Sequence, residues 1–221
     1  KIERIGGYNG ISIEKLLMLK PDMVIAWKSG NQAEDLAQIK RLGIELYLSD
    51  PSSIEGVASE ILKLGQITGH IEQSKKVAET FTAKLNAIKV TQKDKTTLTG
   101  FYQLWPEPMM TVSKKTWINQ LIETCQVTNV FANSDTDYPQ ISIENVIVTK
   151  PQVIIIPDEK SKRIIPTVNW QQWPEIPAVK YEQFISVNAD LLHRFTPRML
   201  DGLAQMCDKV DISREFIKSQ L

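Results

Sequence analysis

The 221-residue sequence predicts two α/β lobes joined by a single long α-helix. Three observations predict this. First, a short unit occurs twice. Tyr8, Ile11-Ser12-Ile13-Glu14, Lys20-Pro21 and Met23-Val24-Ile25 recur as Tyr138, Ile141-Ser142-Ile143-Glu144, Lys150-Pro151 and Val153-Ile154-Ile155. Every shared position returns 130 residues later, so the pattern is a duplicated supersecondary unit. Second, strand-length apolar runs alternate with helical periodicity, the pattern of parallel α/β folds. Third, residues 71–90 carry an apolar stripe with neither Gly nor Pro, and they lie between the two copies. The expected organisation is an N-terminal lobe 1–70, an interlobe helix 71–90 and a C-terminal lobe 91–221.

Each element has a local reason. Gly6-Gly7-Tyr8-Asn9-Gly10 is a loop without the Gly-Lys-Ser/Thr ending of a phosphate cradle. Ser12 is an N-cap, and Glu14 falls in the first helical turn, where the helix dipole favours a carboxylate. Leu16, Leu17 and Leu19 are expected on the buried side. Pro21 stops the helix, and Met23–Trp27 reads as a fully buried strand. Residues 32–42 form a helix closed by Gly43, and Ile44–Leu48 the next strand, parallel to the first. Ser52 and Glu55 have capping-box spacing ahead of a helix whose apolar face is Ile54, Val57, Ala58, Ile61 and Leu62. Gly65 and Gly69 mark its end.

In helix 71–90 the stripe is Val77, Ala78, Phe81, Leu85 and Ile88, and about 20 residues span about 30 Å. Thr97–Leu104 is a strand. Trp105-Pro106-Glu107-Pro108 is expected to be a rigid loop, since two prolines disfavour a ladder or helix. Trp117–Val127 reads as a helix, 153–156 and 183–187 as strands, and Thr196-Pro197 as the start of the last helix.

Composition narrows the function. Apolar residues make up 42%, and 26 acids balance 26 bases. That lacks the electrostatic footprint of a nucleic-acid binder or a polybasic membrane tail. No apolar run reaches the length of a membrane span. Two histidines, His70 and His193, and two distant cysteines give no metal or redox spacing. Cys125 and Cys207 fit either two buried thiols or one disulfide. No G-x-S-x-G, H-E-x-x-H or Walker loop is present, so no catalytic residue is assigned and a binding protein is favoured over an enzyme. The enzymatic alternative pairs Asp190 with His193, three residues apart and able to share a helix face. The loop aromatics Tyr8, Tyr138 and Trp105 are the better lead, because ligands of open α/β units bind at strand-end loops. Matched tyrosines on two lobes can sandwich a flat ligand, and matched Glu14 and Glu144 can clamp a partner with two basic patches.

The doubled unit, the run Pro21–Trp27 and Trp173-Pro-Glu-Ile-Pro-Ala-Val-Lys180 together resemble the substrate-binding proteins of ABC importers that have a rigid interlobe helix. Tyr138-Pro139-Gln140-Ile141-Ser142 and Asp190-x-x-x-Arg194 ahead of Pro197-Arg198 resemble the members that bind cobalamin, vitamin B12. The resemblance implies a periplasmic, monomeric protein that holds cobalamin between its lobes, carries no cofactor of its own and delivers its ligand to a membrane permease. It places Tyr8, Tyr138, Asp190 and Arg194 on the ligand, with the loop aromatic Trp105 as a further candidate contact, and Glu14 and Glu144 on arginines of the permease. It also implies a Cys125–Cys207 disulfide, as suits an oxidising compartment. Haem or an iron siderophore is the alternative ligand, with Tyr8 or Tyr138 as an axial group, or Arg163, Arg194 and Arg198 as anion contacts. Members of this class begin with a further strand–helix–strand. By that resemblance the first lobe is expected to be incomplete, and the 221-residue form to bind ligand weakly or not at all.

Overall fold

The computed structural model describes residues 2–7, 9–158 and 167–220, so Tyr8 and Arg163 lie outside the described residues. The chain forms two compact units, residues 1–51 and 52–221.

In the first unit, strands β1 (Gly6–Gly7) and β2 (Gly10–Ile11) pair antiparallel. Helix α1 (Ile13–Leu19), strand β3 (Met23–Trp27), helix α2 (Ala33–Arg41) and strand β4 (Glu45–Ser49) follow. The Asp35 carboxylate accepts from the Ile11 N–H at 2.8 Å and so ties the first hairpin to α2. The Ser12 hydroxyl caps α1 by accepting from the Lys15 N–H, and Lys20 closes it in the left-handed region at φ 46°. β3 and β4 are parallel, as expected.

Two expectations fail in this unit. Of the three leucines only Leu16 is buried, because a two-turn helix offers its core one narrow stripe and each residue turns about 100° away from the last. β3 is covered on one face only. Val24 and Ala26 join Leu16, Leu36 and Ile39 in the core, while Ile25 and Trp27 are 52% and 54% exposed. Side chains alternate across a strand, so a single covered face leaves every second residue outside.

The second unit runs α3 (Gly56–Ile67), α4 (Ile71–Gln92), β5 (Leu98–Tyr102), β6 (Trp105–Pro106), β7 (Met109–Met110), α5 (Trp117–Thr124), β8 (Val127–Asn129), α6 (Ile143–Thr149) and β9 (Val153–Asp158). A 3-10 turn at Trp170–Gln172, α7 (Pro177–Lys180), β10 (Phe184–Asn188), α8 (Ala189–Leu192) and α9 (Met199–Ser219) complete it.

Residues 52–70 therefore group with this unit and not with the first. Ile54 and Val57 are buried in the same core as Phe81 and Leu85 of α4. Gly65 permits the close approach of α3 to α4, since a Cβ there would lie 2.0 Å from the Ser74 hydroxyl oxygen. It sits inside α3 and does not end it; Gly69, at φ 72°, follows the helix. The Ser52–Glu55 capping box does not form. Ser53 accepts from the Gly56 N–H at 3.0 Å instead, and Glu55 is drawn to an ion pair with Lys89 of α4. The long helix α4 also packs against α5 and α9.

The sheet of this unit is parallel, in the order β10-β9-β5-β8. It is covered on both faces. Leu98, Tyr102, Val153, Ile155, Ile185 and Val187 point into one core with α3, α4, α5 and α9. Phe101 and Ile154 point into the other, with Val146 of α6, Ala178 and Val179 of α7, and Trp170. Strand β8 occupies the tail of the stretch expected to be helix. Gln126 adopts φ 56° and turns the chain out of α5 into the sheet. The Trp105 stretch is a two-residue ladder with Met109–Met110 and not a plain loop. Leu104 N–H donates to Met110 O at 2.9 Å, so the hairpin is anchored ahead of its prolines. Cys125 and Cys207 form a disulfide that joins the end of α5 to α9.

Candidate functional site

In parallel α/β sheets, ligands gather beyond the carboxyl ends of the strands, where neighbouring connections leave to opposite faces. In the second unit that place lies between β5 and β9. The helix after β5, α5, packs on one face, and the helix after β9, α7, packs on the other.

Four of the expected ligand residues follow strands of this sheet: Trp105 after β5, Tyr138 after β8, and Asp190 and Arg194 after β10. Trp105 follows β5 directly, and its indole N–H donates to Glu107 O at 2.9 Å. Its ladder partner Met110 bridges to Gln140. Thr111 N–H donates to Pro139 O and Ile141 N–H to Met109 O, both at 3.0 Å. The hairpin is thereby sewn to the segment that bears Tyr138. Tyr138 is half-exposed. Partial burial, then the Asp137 carboxylate, push its hydroxyl pKa up, so it keeps its proton at neutral pH. Beside this seam lies an open cavity of about 400 Å³ lined by Pro106, Met109, Gln140, Ile141, Asn169 and Trp173, among others.

Asp190 and Arg194 are exposed and paired with each other at 2.6 Å. Asn188 caps α8 beneath them by accepting from the Leu191 N–H. His193, at the end of α8, meets the Tyr102 hydroxyl at 2.7 Å. Burial lowers the imidazole pKa and raises that of the phenol, so this is a contact of two neutral groups. It fastens the Asp190–Arg194 turn to the carboxyl end of β5. Asp190 is engaged with Arg194 and His193 with Tyr102, and not with each other. The Tyr102–His193 bond was not legible in the sequence, where the two lie 91 residues apart. Among the described residues, no cluster of three or more His, Cys, Asp or Glu is placed to hold a metal, and no helix is long and apolar enough to cross a membrane.

The first unit holds an aromatic residue at a strand end that the sequence pattern did not single out. Trp27 stands at the carboxyl end of β3, opposite Ser49 of β4. Its N–H donates to the Asn31 side-chain oxygen at 2.9 Å. Gly30 lies against the indole, where a Cβ would come within 1.9 Å of the ring, so the glycine makes room for the aromatic face. An aromatic residue ending a parallel strand ahead of a Gly turn is the signal that could have found it.

Glu14 and Glu144 occupy the same place in α1 and α6, exposed in the first turn, with no ion pair among the described residues. A hydrogen bond from Ser142, then a backbone one, hold the Glu144 carboxyl below the usual carboxylate range.

Comparison with known proteins places these features in context. The family model described as periplasmic binding protein matches residues 1–191. The chain is 34% identical over 209 residues to the vitamin B12-binding protein of Vibrio parahaemolyticus, covering 94% of this chain and 75% of that one. The crystal structure of the periplasmic vitamin B12-binding protein BtuF of Vibrio cholerae superposes with a TM-score of 0.86 at 34% identity, over 96% of this chain and 82% of that one. The periplasmic heme-binding protein BhuT, solved with two hemes, shares the fold alone, with a TM-score of 0.81 at 19% identity over 95% of this chain and 83% of that one.

Proposed function

The chain belongs to the periplasmic binding protein family, and from that membership we propose that it captures cobalamin in the periplasm and delivers it to the permease of an ABC importer. The observation that carries this reading is the 34% identity to vitamin B12-binding proteins along 94% of the chain. The site chemistry supports it. Cobalamin is a flat, largely apolar ring fringed with amides. Tyr138 and Trp105 of the second unit offer aromatic faces to such a ring, each worth about 0.5–1.5 kcal/mol, and Trp27 is the aromatic candidate of the first unit. The Asp190–Arg194 pair offers both an acceptor and a donor to the amides. Tyr8 joins this ligand set by its repeat position, and Glu14 and Glu144 serve the permease.

Haem is the weaker reading. The heme-binding protein BhuT is 19% identical to this chain, against 34% for the vitamin B12-binding protein of Vibrio parahaemolyticus. Calorimetric titration separates the two. Weak heat from cyanocobalamin and none from haemin is the expected result; binding of haemin alone would overturn the cobalamin assignment and leave the fold and family intact.

A further inference from the structure

We propose that α1 and α6 each present a two-part docking epitope, a carboxylate with an exposed apolar side chain one turn later: Glu14 with Met18, and Glu144 with Val148. The partner it fits is the importer's permease, offering each helix a basic side chain beside an apolar socket. This rests on the importer reading above and adds the apolar half of the contact.

Met18 and Val148 are equivalent positions of the repeat. They are 75% and 79% exposed, and neither packs against a core of its unit. Each helix buries one central residue, Leu16 or Val146. The Glu stands two residues before it and the apolar residue two residues after. At about 100° per residue, Glu and apolar partner lie about 40° apart on the side turned from the core. They therefore form one patch on each helix.

The helix dipole accounts for a carboxylate in each first turn, but folding gives no reason for the exposed apolar side chain beside it. An exposed Val is a poorer helix former than Lys, Glu or Gln, and exposed Met18 and Val148 bury nothing. The position next to each Glu is not shared, being Lys15 in one copy and Asn145 in the other. The shared exposed pair is the carboxylate and the apolar group. Carboxylates without an ion pair call for a basic partner. They also disfavour an anionic lipid surface, which attracts Lys and Arg. An apolar side chain beside each carboxylate calls for a socket that excludes water, the arrangement that gives an interfacial contact most of its energy.

The test uses the full chain and the purified permease of the same importer in lipid vesicles. Complex affinity is measured at several salt concentrations for the parent, for Met18→Ser with Val148→Ser, and for Glu14→Gln with Glu144→Gln. The expected result is that the Ser pair weakens docking by about tenfold or more with the salt dependence of the parent, whereas the Gln pair weakens it and flattens the salt dependence. An unchanged melting temperature of the Ser pair excludes unfolding as the cause. Docking by the Ser pair within twofold of the parent overturns the two-part epitope and leaves the importer reading standing. Absence of docking by the parent overturns both.

Discussion

The two copies of the repeated unit share a backbone and differ in what surrounds it. α1 and α6 are seven residues each and end on a left-handed lysine, Lys20 at φ 46°, ψ 55° and Lys150 at φ 47°, ψ 57°. A proline and a parallel strand follow in both. Among the described residues, however, β3 pairs with β4 alone and has one covered face, whereas β9 lies between β5 and β10 with a core on either side. Ile25 and Ile155 hold the same place in the repeat, yet one is half-exposed and the other fully buried. Cap, proline and apolar run determine the local shape; the number of neighbouring strands determines what that shape buries.

The sharpest way to break this comparison is to truncate both isoleucines. Ile155→Ala should cost about 2–5 kcal/mol, the range for a buried aliphatic residue, and Ile25→Ala within about 0.5 kcal/mol, as at a surface position. Urea denaturation of the two variants measures the difference, and equal losses would refute it. The carboxyl ends of the two strands also differ, since Trp27 of the first copy is replaced by Pro157 in the second. Trp27→Ala should weaken cobalamin binding by up to about tenfold. Pro157→Ala should leave it nearly unchanged, and Gly30→Ala should fall between them by displacing the indole. Calorimetry orders the three.

A smaller difference is expected in pH response. Residues 1–51 contain no histidine, whereas the second unit holds His193 partly buried against Tyr102. Its folded pKa lies below the unfolded value of 6.5. The stability it contributes is therefore complete above about pH 6.5 and is lost as pH falls toward the folded pKa. The melting temperature of the second unit should drop over that window, and His193→Gln should remove this part of the slope. The smallest effect should be shared by both copies. Lys20→Gly and Lys150→Gly should each gain about 0.5–1 kcal/mol, because glycine adopts the left-handed region without the Cβ penalty. Unequal gains would show that the two helix ends are held differently.

The duplicated unit, the parallel strands and the long helix were all legible, because each rests on a local signal: a cap, a proline or a periodicity. Burial was not. Met23-Val24-Ile25 and Val153-Ile154-Ile155 are both unbroken apolar runs, and such a run does not say how many strands will flank it. The short elements were missed for a related reason. β8 has three residues and α8 four, too few for any period to repeat. At the site, the aromatic and charged residues were visible as residue types in loops. The Tyr102–His193 bond, the seam between the Trp105 hairpin and the Tyr138 segment, and the Gly30 seat for Trp27 are products of tertiary folding. Gly65 was misread because a glycine needed for close helix packing looks the same in a sequence as one that ends a helix.

The disulfide between Cys125 and Cys207 has a bearing on survival outside the cytoplasm. Tyr138, Glu144, Asp190 and Arg194 all lie on the chain between the two cysteines. A protease that cuts once anywhere in that stretch separates no fragment from the molecule, since both pieces stay covalently tied through α5 and α9. The nicked protein would migrate as one band until reduced, with all four residues still tethered to the rest of the chain.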